Sequence, residues 1–206
     1  LDSTIALYLY GRSFFLKDQA IAPQHKVAFN YWISQAKQHW LKLGYRQSQA
    51  HLAIALKRID ELETAKAIMA SIKEHSVTDD EMGMFWRDTE LSWWWYRAPI
   101  ETQAMMIEAF DEVMNDQKSV EDCKVWMLKQ KQTQDWKTTK ATADAVYSLL
   151  LRGSDLLASN EIVQIALAGE PIKPKDIEAG TGFYEARVVG SDVKPDQGNI
   201  VVKKID

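Results

Sequence analysis

The sequence predicts a mainly α fold: a partial α/α toroid of antiparallel helical hairpins over residues 1–160, followed by a short β segment over residues 161–206. Two observations carry this expectation. Composition breaks near residue 160, because all eight tryptophans and all seven methionines precede residue 137, whereas five of nine glycines and three of five prolines fall after residue 160. Before the break, apolar residues recur at the helical period. After it they alternate or run together in short stretches bounded by Gly and Pro.

The helices follow in order. Ile5, Leu9, Phe15 and Leu16 fall near one stripe of a helix over residues 3–16. A second helix over 27–43 stops at Gly44, a residue that ends helices because it accepts the left-handed conformation. Leu52, Ile54, Ala55 and Ile59 mark a third over 47–59, and a fourth covers 62–75. Beyond a loop, helices are expected over 100–114, 120–131 and 138–151, the last ending at Arg152-Gly153. Short connections make neighbours pack as antiparallel hairpins. Thr4-Ile5-Ala6, Ser48-Gln49-Ala50, Thr102-Gln103-Ala104 and Ala141-Thr142-Ala143 each open a helix rich in small residues. An inner ring is therefore expected to begin near Ile5, Gln49, Gln103 and Thr142, with Ala6, Ala50, Ala104, Ala143 and Ala145 at its narrow side. Four such helices are fewer than a closed ring needs, and Leu1 follows neither a start Met nor a cleavable leader. The chain reads as a mature product or, better, as a piece of something longer.

The interruption over 76–99 carries Gly83-Met84-Phe85-Trp86 and Trp93-Trp94-Trp95-Tyr96. Indoles at this density exceed what a soluble surface tolerates, so Trp86, Trp93, Trp94 and Trp95 are expected to be buried, plugging the open end of the toroid. Arg87, Asp88, Glu90 and Arg97 would rim the plug. In the tail, residues 162–167, 183–189 and 200–205 read as strands. Three strands make a poor sheet alone, so they are expected to complete a β domain whose other strands lie elsewhere.

The charge balance and the scarcity of special motifs exclude several classes. With 25 Lys and Arg against 29 Asp and Glu, the net charge of -4 offers nothing to a phosphate backbone, so no nucleic-acid partner is expected. No apolar run approaches the roughly 18 residues that span a bilayer, so no direct membrane insertion is expected. The single cysteine, Cys123, forms no intrachain disulfide. It sits mid-helix beside Glu121 and Asp122, which raise a thiol pKa, and it reads as structural. His25, His39, His51 and His75 lack metal-ligand spacing. Gly180-Thr181-Gly182 lacks the rest of a phosphate loop. Asp79-Asp80-Glu81 begins like a DDxxD motif, but Gly83 stands at its fifth position, so a solvated loop or helix cap is the better reading. Gln132-Thr133-Gln134-Asp135-Trp136 lacks the glycine of cyclase Gln-Trp motifs. Glu101, Glu108 and Asp144 lie on inner helices, and a glycosidase-like use requires them to meet across the ring.

Three segments together carry a resemblance. They are Pro99-Ile100-Glu101-Thr102-Gln103-Ala104, then Trp126-Met127-Leu128-Lys129-Gln130-Lys131, then Trp136-Lys137-Thr138-Thr139-Lys140-Ala141-Thr142-Ala143-Asp144-Ala145. They resemble the thioester-domain region of α2-macroglobulins, the bacterial branch above all. Residues 163–206, with Gly180-Thr181-Gly182-Phe183-Tyr184, resemble the return into the CUB-like β domain that flanks that toroid. The family's centre is an internal Cys-Gly-Glu-Gln thioester, which this sequence does not contain. Either the motif lies upstream of Leu1 or the protein is a thioester-less member.

The resemblance implies a bacterial endopeptidase inhibitor, periplasmic or in the cell envelope, acting by protease trapping. Its implied partners are target proteases and the remaining domains of the parent protein. No catalytic, cofactor-binding, metal or thioester residue is carried onto this chain, no cofactor is implied, and no enzyme activity is expected. The alternative is a toroid enzyme or glycan-binding module, glycosidase- or cyclase-like, using the inner acids and the Trp-rich loop. An open pocket with convergent acids separates that alternative from a scaffold with a filled centre.

Overall fold

Capping and packing residues define the elements of a computed structural model that describes residues 1–90, 98–133, 136, 138–152, 164–172 and 186–203. Its coordinates divide into two units, Leu1–Asp155 and Leu156–Asp206. The described residues are mainly helical, with a few short antiparallel strands.

In the first unit, Asp2 caps α1 (Ser3–Ser13) by accepting the Ile5 amide at 3.0 Å, and the helix buries Ala6, Leu9 and Ser13. Pro23 opens α2 (Pro23–His39), where its missing N–H costs nothing, and Ile33 and Ala36 are the face it buries. After a 3-10 turn at Trp40–Lys42 comes α3 (Arg46–Arg58), which is buried from Ser48 through Leu56 and forms the centre of the unit. The next helix, α4 (Leu62–Glu74), is amphipathic and buries Ala65, Ile68, Met69 and Ile72. A hairpin of β1 (Val77–Asp79) and β2 (Gly83–Phe85) follows, then the short α5 (Arg87–Glu90). Next, α6 (Pro99–Ala109) widens into a π-turn over Phe110–Met114 and stops at Asn115, a residue suited to the left-handed cap it adopts at φ 50°. The last two helices are α7 (Gln117–Thr133) and α8 (Thr139–Leu151), the latter capped by Thr138 Oγ1 on the Ala141 amide at 3.0 Å.

Two layers result. The inner layer runs α1, α3, α6, α8, each packed on the next, while α4 lies against α3 and α7 against α6. The core runs through these helices from Ala6 to Leu149 and takes in Met84 and Trp86 from the hairpin segment. Trp86 donates to the Ile72 carbonyl at 2.8 Å and stacks on Phe110 at 6.2 Å, while Phe85 stacks on Trp126 at 6.2 Å. Gln103 Nε2 bridges the Met84 carbonyl at 2.7 Å and the Cys123 carbonyl at 3.2 Å, tying α6 to both hairpin and α7.

In the second unit, β3 (Gln164–Leu167) lies between β4 (Glu170–Pro171) and β5 (Ile200–Lys203), all antiparallel. Ala168 and Gly169, at φ 51° and 83°, make the tight β3–β4 turn, and Pro171 sits on the edge, where its missing donor is tolerated.

Several expectations need correction. The first helix ends at Ser13 rather than residue 16, and Phe15 is exposed, because the buried face runs through Ala6, Leu9 and Ser13. The second begins at Pro23, and Val27 is exposed. The interruption is not a bare loop: its turn is folded by Asp79 Oδ1, which accepts the amides of Glu81 at 2.9 Å and Met82 at 2.8 Å. Ala143 faces outward, and Ala141 and Ala145 take the buried positions of α8. The described part of the expected strand over 183–189, residues 186–189, is not a strand. Trp93, Trp94, Trp95 and Tyr96 lie outside the described residues.

Candidate functional site

Helical spacing brings the chemistry-bearing residues of the inner layer to one face. On α6, Glu101, Ala104, Met105 and Glu108 follow the i, i+3, i+4, i+7 pattern. On α8, Lys140, Asp144 and Tyr147 do the same at i, i+4 and i+7. Gln47 and His51 on α3, and Leu7 and Tyr10 on α1, complete the face. Together with Thr138 they wall an open cavity of about 610 Å³. Glu101, Glu108 and Asp144 therefore do converge.

The three acids differ in what holds them. The Glu108 carboxylate, almost wholly buried, accepts from Tyr10 Oη at 3.0 and 3.1 Å, from Arg58 Nη2 at 3.1 Å and pairs with Arg152 Nη2 at 3.1 Å. Arg58 also grips Glu112 with two bonds, Nε to Oε1 at 2.7 Å and Nη2 to Oε2 at 2.6 Å, and donates to Ser13 Oγ at 3.1 Å. Arg152 reaches Asp111 and Glu112 of the π-turn at 3.8 Å and donates to Tyr147 Oη at 3.1 Å. Burial works against ionisation of Glu112, but the hydrogen bonds and charge of Arg58 outweigh it and hold that carboxyl below its usual range. Burial, then the neighbouring Glu108 charge, pushes the Tyr10 hydroxyl up, so it stays a donor. Asp144 is paired with Lys140. Glu101, only 8% exposed, accepts a single long bond from Thr138 Oγ1 at 3.4 Å.

His51 is the other group with unused capacity. It is 8% exposed, lies 4.7 Å from the Tyr10 ring and lines the cavity. Burial, helped by Lys140, pushes its pKa down to about 4, so the imidazole is neutral at neutral pH. The oxygens of Glu108 are taken up by two guanidinium groups and the Tyr10 hydroxyl. Glu101 and His51 remain able to accept hydrogen bonds from a polar ligand in the cavity.

The other candidates are structural. Cys123 is fully buried, and burial, then Asp122 and Asp116, pushes its thiol well up. Its carbonyl serves Gln103, its backbone being committed to α7. His25 and His75 are exposed and His39 is half-buried. Among the described residues no three His, Cys, Asp or Glu side chains are placed to share a metal ion, and no helix is long and apolar enough to cross a membrane. Asp79 shapes a turn. Its carboxyl is held below the usual range by the amides of Met82 and Glu81.

Sequence reasoning missed Tyr10, His51, Arg58 and Arg152. They come from three helices far apart in the chain, and no local spacing marks them. The one available signal was three charged or polar residues on helix faces otherwise destined for the core. No protein-family model matches the chain, and no curated protein matches it.

Proposed function

We propose that this chain is a non-catalytic body of a bacterial α2-macroglobulin-like endopeptidase inhibitor, which in the full-length protein acts by protease trapping. The single observation that carries the non-catalytic part is the spent state of the inner acids. Glu108 is locked between Arg58, Arg152 and Tyr10, and Asp144 is paired with Lys140, so among the described acids of the cavity only Glu101 lacks a cationic partner. The resembling segments also serve as framework. Gln103 ties three elements together, Trp126 and Trp136 are buried, and Ala141 and Ala145 let α8 approach α6 closely. On this reading the partners are target proteases and the other domains of the same protein, in the periplasm or cell envelope.

The test uses the full-length protein and an endopeptidase. After incubation the protease should lose cleavage of a large protein substrate and keep cleavage of a short peptide. Equal loss of both, or of neither, removes the trapping reading.

The cavity favours one second reading, a module that binds a small polar ligand such as a glycan through Glu101 and His51. A panel of glycans and glycosides distinguishes the two. Saturable binding or turnover that Glu101→Gln abolishes would promote this reading over the first.

A further inference from the structure

We propose that the cavity walled by α1, α3, α6 and α8 binds a small ligand through a primary ammonium group, which the Glu101 carboxylate receives. The inference rests on the second reading above, in which the cavity takes a polar ligand, and assigns that ligand its charge. Most polar groups of the wall are spent. Tyr10 donates to Glu108, whose oxygens Arg58 and Arg152 also hold, and Asp144 is paired with Lys140. Glu101 alone among the described acids of the cavity has no cationic partner. It is 8% exposed, and its one described hydrogen bond is the long one from Thr138 Oγ1, a residue of the same wall. A carboxylate this buried ordinarily has a cation beside it, because its lost hydration is not otherwise replaced. Glu101 lies in the first turn of α6, where the helix dipole favours a negative charge but occupies none of its lone pairs.

The rest of the wall suits the same ligand. Lys140, its one described lysine, pairs with Asp144 rather than with Glu101 and is largely exposed. His51 is held neutral at neutral pH by burial, so it brings no positive charge against a cation, and a neutral imidazole keeps one nitrogen as an acceptor. Gln47, one turn earlier on the same face of α3, adds a side-chain carbonyl. The open capacity of the cavity is therefore for accepting hydrogen bonds, with one negative charge unmet. An ammonium group supplies three donors and the missing positive charge, whereas a sugar hydroxyl supplies a donor and no charge. Leu7, Ala104 and Met105 give the wall an apolar part for the carbon body of the ligand, and about 610 Å³ accommodates a body the size of a monosaccharide. An amino sugar and a simple alkylamine share the required ammonium.

The intact chain is titrated with glucosamine, glucose and n-butylamine at matched ionic strength and mildly acidic pH, where both amines are protonated and His51 stays neutral, following the backbone amide NMR signals. Saturable shifts at His51, Glu101 and Met105 are expected with the amines, and glucose should bind at least about tenfold more weakly than glucosamine. Glucosamine binding tighter than butylamine identifies a hydroxylated ligand body, and otherwise the ligand is a simple amine. Glu101→Gln, which keeps the shape and removes the charge, should weaken amine binding about tenfold or more. Asp80→Asn, which removes the same charge from an exposed turn, should leave it unchanged. Far-UV circular dichroism checks that the variants fold, and should Glu101→Gln not fold, glucosamine against glucose on the unaltered chain decides. Glucose binding as tightly as glucosamine overturns the ammonium proposal alone and leaves the cavity a glycan site. No saturable shift with either amine, amine binding that Glu101→Gln leaves unchanged, or an equal loss with Asp80→Asn also overturns it.

Discussion

Gly83 is the residue whose identity the backbone dictates most strictly. Its φ is +75°, and a Cβ there would stand 2.2 Å from the Asp122 carbonyl of α7. Gly83→Ala should therefore cost about 2–4 kcal/mol, from backbone strain plus displacement of the hairpin, read as a lower urea midpoint. An unchanged midpoint would mean that the hairpin does not rest on α7. Tyr10 shows the same dependence on distant partners. Tyr10→Phe removes the hydroxyl that both Glu108 oxygens accept and should cost about 1.5–3 kcal/mol, the range for a hydrogen bond to a charged group. His51 sets a pH dependence. Its folded pKa lies near 4 against an ordinary 6.5, so the unfolded chain takes up a proton that the folded chain refuses. Its contribution is intact above the unfolded value and is lost as pH falls from 6.5 towards 4, by about 3 kcal/mol in all. Urea unfolding at pH 7 and pH 5 should show a drop that His51→Gln largely removes. The depressed carboxyl of Glu112 shifts stability with the same sign, but at lower pH, because an ordinary carboxyl titrates there.

At the scale of elements, the existence and order of the seven long helices were legible from apolar residues at helical spacing, although α3 and α6 are buried on nearly every side. Their ends were less so. The first helix stops at Ser13 although Phe15 and Leu16 continue an apolar pattern, and the Phe14 ring lies under the Arg58 guanidinium at 4.0 Å. On α8, Ala145 is buried as expected but Ala143 is not. Alanine satisfies either side of a helix, and only packing against α6 selects Ala141 and Ala145. Two substitutions test that packing. Ala104→Leu should overpack the inner layer and cost about 1–3 kcal/mol. Ala143→Leu, on the exposed face, should stay within about 0.5 kcal/mol. Similar melting temperatures for both would mean that the inner layer does not pack as described.

At the scale of the whole molecule, the core of the described residues, Ala6 to Leu149, lies within Leu1–Asp155. A chain ending at Asp155 should therefore unfold in one cooperative transition and keep its helical circular dichroism. A non-cooperative melt would show that this unit does not fold by itself. The small sheet of the second unit differs. Ile200, Val201 and Val202 on β5 are all exposed, so little apolar burial holds it.

The sequence by itself determined the fold class, the order of the long helices along the first unit, the break into a strand-bearing tail and the structural character of Cys123. All of these rest on local period, composition and the chemistry of near neighbours, which do not depend on how helices meet. Tertiary structure alone decided that Glu101, Glu108 and Asp144 share a cavity, and that Glu108 is neutralised by Arg58 and Arg152. It alone set His51 against the Tyr10 ring in the wall of that cavity. Those facts depend on which faces of α1, α3, α6 and α8 turn towards one another, and side chains about 50 to 100 positions apart carry no mark of that in their spacing.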